Sequence, residues 1–145
     1  MSLEHLLFLS DTDTTVGFIS KDARRIDRAK QRPPSKHYIT ALPSLRSLTT
    51  LTRIPRSHRR RIRRRRHESY ILPSGHSYRI VHNARHLLLL KRLGRAYTSS
   101  ANLSDAPYEE AYARQAADVI VEPLGPPRAP SRIYRLGRQK MKRLR

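Results

Sequence analysis

Cysteine is absent from the 145-residue chain, which excludes disulfides and thiolate metal sites. Acidic residues are scarce: 11 Asp plus Glu stand against 31 Lys plus Arg, a formal net charge of +20. Self-repulsion of that size disfavours compaction, and such a surface attracts polyanions, so nucleotides, RNA and anionic membranes are the candidate partners. Long hydrophobic runs are missing too. No apolar stretch approaches the roughly 20 residues that span a bilayer. The opening "MSLEHLLF" carries Glu4 and lacks the basic start and long apolar core of a signal peptide. A soluble cytoplasmic protein is the expectation, and the chain shows no internal repeat.

What is present is a clustered hydrophobic fraction of 37%. A chain of this length buries about two thirds of its unfolded surface, enough for a real core. One domain over residues 1–137 is expected, followed by a basic, frayed tail over 138–145. "HLLFLS" and "VGFIS" read as strands around the polar corner "DTDTT". "KDARRIDRAKQR" reads as a helix capped by Asp22, stopped at Pro33-Pro34 and too poor in apolar residues for a deep core face. "HYITAL" reads as a strand. "PSLRSLTTLTRI" spaces Leu45, Leu48 and Leu51 as a helical stripe that starts at Pro43-Ser44.

"PRSHRRRIRRRRHE" has Ile62 as its single apolar residue, hence no buried face. Like charges at helical spacing repel, so this segment needs neighbours or anions to order it. "SYILP" and "HSYRIV" form a hairpin about Ser74-Gly75. "NARHLLLLKRLG" is the clearest helix, with Asn83 as cap, Leu87 to Leu90 and Leu93 as apolar face, and Gly94 as stop. "RAYTSS" is a strand. "APYEEAYARQA" is a helix with Glu109 and Glu110 in its first turn. "DVIVEP" and "SRIYRLG" are strands separated by "GPPRAP". The alternation predicts a single α/β domain, a twisted mixed sheet of parallel and antiparallel strands with flanking helices.

Three polar stretches stand at element ends, where α/β sheets place ligands: "SDTDTT" (10–15), "KQRPPSK" (30–36, with Lys30, Arg32 and Lys36) and "TSSANLSD" (98–105). The last is uncharged and rich in hydroxyls inside a very basic chain. Taken singly, a Ser/Asn-rich turn accounts for it in the simplest way; a pocket for a small polar substrate is the sharper reading.

Taken together and in this order, the three stretches resemble the YrdC-type L-threonylcarbamoyladenylate synthases. That family reads Pro-Thr-Asp-Thr, Lys-x-Arg-Pro and Ser-x-Asn-x-Ser-Gly. Here "DTDT" (11–14) is similar to the first with Asp11 for the proline, "KQRP" (30–33) matches the second, and "SANLS" (100–104) matches the third with Asp105 for the glycine. "SYRIV" resembles the family's arginine-bearing strand, which makes Arg79 the counterpart. The family's Pro-Gly-Pro-x-Thr stretch has no counterpart; "RRRRHESY" stands in its place, and Val16 stands where an aromatic residue is usual.

The resemblance implies a YrdC-like fold from about Leu7 to Val121 and a nucleotidyltransferase that joins threonine, bicarbonate and ATP into threonylcarbamoyl-AMP and pyrophosphate. Lys30, Arg32, Ser100 and Asn102 become the expected catalytic residues. Thr12 and Ser100 are expected to seat threonine; Lys30, Arg32, Arg79 and Asn102 are expected to bind ATP. Such chemistry needs charge neutralised and reactants held in line, Arg serving as a fixed fork and Lys as a point charge. Mg²⁺ comes with ATP as substrate, and no permanently bound cofactor is expected. The product would feed threonylcarbamoyladenosine modification of tRNA, with later tRNA-modification proteins as further partners.

The basic run suggests RNA contacts by Arg59, Arg60, Arg61, Arg63, Arg64, Arg65 and Arg66, and a non-catalytic RNA-binding or nucleotide-binding protein of the same fold is the alternative reading. The run lacks the apolar face of an interfacial helix, so no membrane partner is expected. His82 and His86 lie four apart, a spacing that zinc sites use. No third ligand accompanies them, so no metal site is expected.

Overall fold

Short β-rich runs punctuated by turn formers become strands, and the capped segments between them become helices. In the computed structural model, which describes residues 2–34, 37–126 and 128–145, the strands are β1 (Phe8–Ser10), β2 (Gly17–Ser20), β3 (Ile39–Leu42), β4 (Glu68–Ile71), β5 (Ser77–Ile80), β6 (Ala96–Ser100), β7 (Val119–Ile120), β8 (Arg132–Leu136) and β9 (Met141–Arg143). The helices are α1 (Ala23–Lys30), α2 (Leu45–Thr49), α3 (Arg59–Arg64), α4 (Ala84–Leu93) and α5 (Glu110–Ala116). Lys36, expected beside Lys30 and Arg32, lies outside the described residues.

The strands form one nine-stranded sheet in the order β7-β1-β2-β6-β3-β5-β4-β8-β9. β1–β7, β3–β5 and β4–β8 pair in parallel and the other neighbours antiparallel, so the expected mixed sheet is observed. Side chains alternate across a strand, and the register sorts the sheet into two different faces. One face carries Leu9 and Phe18 under α1, and Leu42, Tyr70, Ile80 and Tyr134 under α2 and α3. The opposite face carries Phe8, Ile19, Ala41 and Ala96 under α4. Toward the start of β3 and the end of β6 that same face turns polar, with Gly17 opposite Ser100 and Ile39 opposite Thr98.

Capping follows the sequence. Asp22 accepts from the Arg24 amide at 3.0 Å, Ser44 from Ser47 at 3.1 Å and Asn83 from His86 at 3.0 Å. Gly75 turns the β4–β5 hairpin at φ +90°, a backbone region that side-chain-bearing residues seldom occupy.

Several expectations are corrected. α1 does have a buried face, comprising Ile26, Asp27, Ala29 and Lys30. Its polar members can be buried because they are satisfied: the Tyr38 hydroxyl donates to Asp27 Oδ1 at 2.5 Å. The arginine run also has an inward side. Ile62 is buried, the His58 ring lies 3.0 Å from the Gly137 carbonyl, and Arg61 forks onto buried Glu68 with both contacts at 3.0 Å. Four consecutive leucines cannot share one helical face, and Leu88 points to solvent. α2 ends before Leu51, which is exposed rather than part of a core stripe.

The segment expected to fray contains β9. It returns along β8 after a turn closed by the Gly137 amide on the Lys140 carbonyl at 2.8 Å, and pairs Tyr134 with Arg143 and Leu136 with Met141. "MKRL" shows no apolar alternation, so the hairpin had no local signal beyond Gly137 at its turn.

Candidate nucleotide and substrate site

A cavity of about 380 Å³ opens on the polar part of the sheet face that α4 leaves uncovered. Its floor is strand backbone. A Cβ on Gly17 would lie 3.0 Å from Thr12 Cγ2 and 3.1 Å from the Ser99 carbonyl oxygen, so a side chain there would crowd the floor and require its neighbours to shift. Thr12, Lys30, Arg32, Arg79, Ser100 and Asn102, distant in sequence, all line this cavity. The seven arginines of the 59–66 run do not; they lie on α3 and the turn after it.

Proximity does not give these residues equal freedom. The Lys30 ammonium is buried and donates to the carbonyls of Ser100 at 2.8 Å and Asn102 at 2.9 Å, with Asn102 Oδ1 at 3.4 Å. Burial pulls its pKa from the ordinary 10.5 down to about 8, and the neighbouring Arg32 charge acts in the same direction. Lys30 is therefore a desolvated cation beneath the 100–102 corner rather than a free arm. Asn102 is similarly occupied, its amide donating to the Leu103 and Ala106 carbonyls at 2.8 Å each. Thr12 donates to the Thr15 carbonyl at 2.5 Å and accepts from the Thr14 amide at 3.2 Å, so its hydroxyl braces the corner.

Other lining residues keep buried donors that no described residue satisfies. Arg79 projects from β5, donates to the Thr14 hydroxyl at 3.0 Å, and leaves its buried Nε without a partner among the described residues. Burial lowers its pKa to about 10, with Asp13 opposing the shift. Arg32 stacks over Tyr38 at 5.0 Å, and its buried Nε is also unpaired among the described residues. The Thr98 hydroxyl, likewise buried in the lining, has no partner there either. With Lys30, Arg32 and Arg79 in its lining, the cavity suits an acceptor-rich, anionic ligand.

Sequence reasoning missed Ser131 and Arg145. β9 carries Arg145 back to the rim, where its guanidinium donates to the Ser131 carbonyl at 3.0 Å and lies 3.4 Å from the Ser131 hydroxyl. Both residues line the cavity, and burial lowers the Arg145 pKa. Asp105 is the carboxylate in the lining. It adopts φ +61° where the resembled motif has glycine, a left-handed conformation that Asp tolerates better than most residues. Asp11, in the place of the motif's proline, accepts from the Gly125 amide at 2.8 Å and so tethers the segment leading into β8.

No metal-binding group of three or more His, Asp or Glu occurs among the described residues. His86 is buried with both ring nitrogens unpaired there. Burial, followed by the nearby Arg79 charge, lowers its pKa to about 3. A larger cavity of about 870 Å³ lies along the outer side of α1, but its Asp22 and Asp27 are already engaged by Arg24 and Tyr38. No helix among the described residues is long and apolar enough to cross a membrane.

No family model and no curated protein matches the sequence. Solved structures do match in fold. Sua5 of P. abyssi, crystallised in complex with L-threonine, superposes with a TM-score of 0.78 at 19% identity, over 97% of this chain and 50% of that one. A two-residue variant of P. abyssi Sua5 gives 0.78 at 20% identity, over 97% and 49%. E. coli YciO gives 0.75 at 17% identity, over 97% and 82%. The chain spans about half the length of the Sua5 structures it matches. Its fold is the YrdC-like α/β fold that the sequence motifs had implied.

Proposed function

We propose that the chain is a nucleotidyltransferase that forms threonylcarbamoyl-AMP and pyrophosphate from L-threonine, bicarbonate and ATP, for threonylcarbamoyladenosine modification of tRNA. The observation that carries this reading is the convergence of Thr12, Lys30, Arg32, Arg79, Ser100 and Asn102 on one cavity. The L-threonine held by a protein of the same fold supports it further.

In the reaction, the threonine amine and bicarbonate condense to a carbamate with loss of water. A carbamate oxygen then attacks the α-phosphorus of ATP as the bond to the bridging oxygen breaks, and pyrophosphate leaves with the electron pair. Little of this needs covalent help from the protein; it needs charge placed where it develops. Arg32, Arg79 and Arg145 would engage phosphate oxygens as planar forks. Lys30 would contribute positive potential from beneath and hold the 100–102 corner in shape. The Ser100 hydroxyl would meet threonine or nucleotide, beside a wall kept rigid by Asn102 and Thr12. Mg²⁺ would arrive on ATP as part of the substrate.

The test is incubation with ATP, L-threonine, bicarbonate and Mg²⁺, following pyrophosphate release and threonylcarbamoyl-AMP by mass, with Lys30→Ala as control. Product that disappears in the variant is expected. Absence of product from folded wild-type protein refutes the synthase reading.

A non-catalytic RNA-binding role is favoured by a separate observation: Arg59, Arg60, Arg63, Arg64, Arg65 and Arg66 are exposed, whereas Arg61 is turned inward onto Glu68. Replacing Arg59, Arg60, Arg63 and Arg64 by Gln should then weaken RNA binding and flatten its salt dependence by roughly 0.7–0.9 for each phosphate no longer neutralised.

A further inference from the structure

On the sheet face that carries α1, α2 and α3, a gap is left between Ala23 of α1 and Leu51 just beyond α2, and at His37, Tyr38 and Ser77 it adjoins the polar cavity. The gap is a cleft of about 380 Å³ whose floor is a cross-strand row: Tyr97 on β6 opposite Thr40 on β3, itself opposite Tyr78 on β5. Leu51 and Tyr97, two of the large hydrophobic side chains left exposed, both line it. Exposed His37 and His76 stand at one end with ring centroids 6.5 Å apart, edge to face. Tyr78 and Tyr38 are buried, so the open apolar surface of the cleft is the Tyr97 ring with Leu51 beside it, which a partner could cover.

Charge indicates what that partner is. Arg95 lines the cleft and also the adjoining groove, which adds Lys21 and Arg46. That groove shares Ser44 and Arg46 with a third, which carries Arg59, Arg63 and Arg66. No carboxylate occurs in the lining of any of the three, and Arg46 and Arg95 form no ion pair among the described residues. A cationic track thus runs into an aromatic floor. This is the combination that single strands require, with phosphates along the charges and bases on the rings. A duplex keeps its bases stacked internally and cannot use the rings.

We propose that this cleft binds unpaired nucleotides of RNA, with a base stacked on Tyr97 and the flanking phosphates on Arg95 and Arg46. Two grooves away, the α3 arginines would extend the contact to either strand form. The proposal stands whether or not the chain makes threonylcarbamoyl-AMP, because Tyr97, Arg95 and Arg46 do not line the polar cavity.

The experiment is fluorescence anisotropy with a labelled ten-nucleotide oligo-uridine or oligo-adenosine, set against an RNA duplex of the same length. Tyr97 lies outside the buried core, so Tyr97→Ala should melt with the wild type. It should weaken single-strand binding about 5- to 30-fold, leave duplex binding unchanged, and be rescued to within about twofold by Tyr97→Phe. Arg95→Gln should reduce the salt slope for the single strand by about 0.7. The proposal is overturned if the wild type does not bind the single strand, if Tyr97→Ala has no effect, or if it weakens both forms equally. It is also overturned if sedimentation shows a dimer that Tyr97→Ala dissolves, since a second copy would then occupy the cleft. Loss of duplex binding on neutralising α3 would leave the Tyr97 result untouched and so test the two RNA surfaces separately.

Discussion

Replacing Lys30 by Met separates a structural clamp from a functional cation. The substitution keeps the length and apolar stem but removes the charge and the donors to Ser100 and Asn102. Two terms then oppose each other. Leaving those carbonyls short of a donor costs about 1–3 kcal/mol each. Against this, the fold holds the ammonium at a pKa of about 8 instead of 10.5, a penalty of roughly 3 kcal/mol at 1.36 kcal/mol per pH unit that Met does not carry. The terms nearly cancel, so Lys30→Met should unfold in urea within about 2 kcal/mol of the wild type at pH 7. ATP affinity, measured by calorimetry, should fall by roughly 10- to 100-fold, as expected for losing a charged contribution inside a poorly solvated site.

The pH dependence adds an independent check. With its folded pKa lowered, Lys30 binds fewer protons in the native than in the unfolded chain between pH 8 and 10.5, so its contribution to stability rises with pH across that window. The variant should lack this rise, and wild-type ATP affinity should decline above about pH 8 as the cation neutralises. A variant that loses more than about 4 kcal/mol yet binds ATP normally would refute the reasoning and make Lys30 a clamp alone.

Glu68→Gln should destabilise the protein by about 2–4 kcal/mol in urea titration, a figure reduced from that of a fully buried pair because Arg61 is partly solvated. The buried carboxylate accepts from Arg61 twice at 3.0 Å and from the Tyr70 hydroxyl at 2.7 Å, and an amide would point a donor at one of them. A change below about 1 kcal/mol would show that Glu68 does not anchor α3. Native His86 stays neutral down to about pH 3 while its unfolded counterpart protonates near 6.5, so stability should fall as pH drops through that interval. The loss between pH 6 and pH 4 should be roughly 2–3 kcal/mol, and His86→Leu should flatten the profile of melting temperature against pH; an unchanged profile would assign the acid sensitivity elsewhere. Arg145→Ala should weaken ATP binding by about 10-fold with little change in melting temperature, and full retention of binding would remove Arg145 from the site.

Much of the fold was legible because its signals are local. Asp22, Ser44 and Asn83 cap helices through bonds to residues two or three positions away, and Gly75 turns a hairpin over its immediate neighbours. The charge run misled for the same reason. Arginines were counted as solvated, while Glu68, the partner of Arg61, lies seven positions on and is presented by another element. β9 was hidden similarly: its hydrogen bonds come from β8, and Met141-Lys142-Arg143 carries no period-two pattern of its own.

The chain alone determined which residues could meet a polyanion and the order of the three polar stretches, since identity and spacing are properties of sequence. It also determined most of the elements, β9 excepted, because capping, turn formation and alternation act over a few residues. Only the tertiary structure decided how those residues are used. It committed Lys30, Asn102 and Thr12 to holding a corner, placed Arg32, Arg79 and Arg145 in the cavity lining, and left Tyr97 exposed in a cleft beside α1. The physical reason is that a polar group's availability depends on which donors and acceptors remain after long-range strand pairing and burial have claimed theirs.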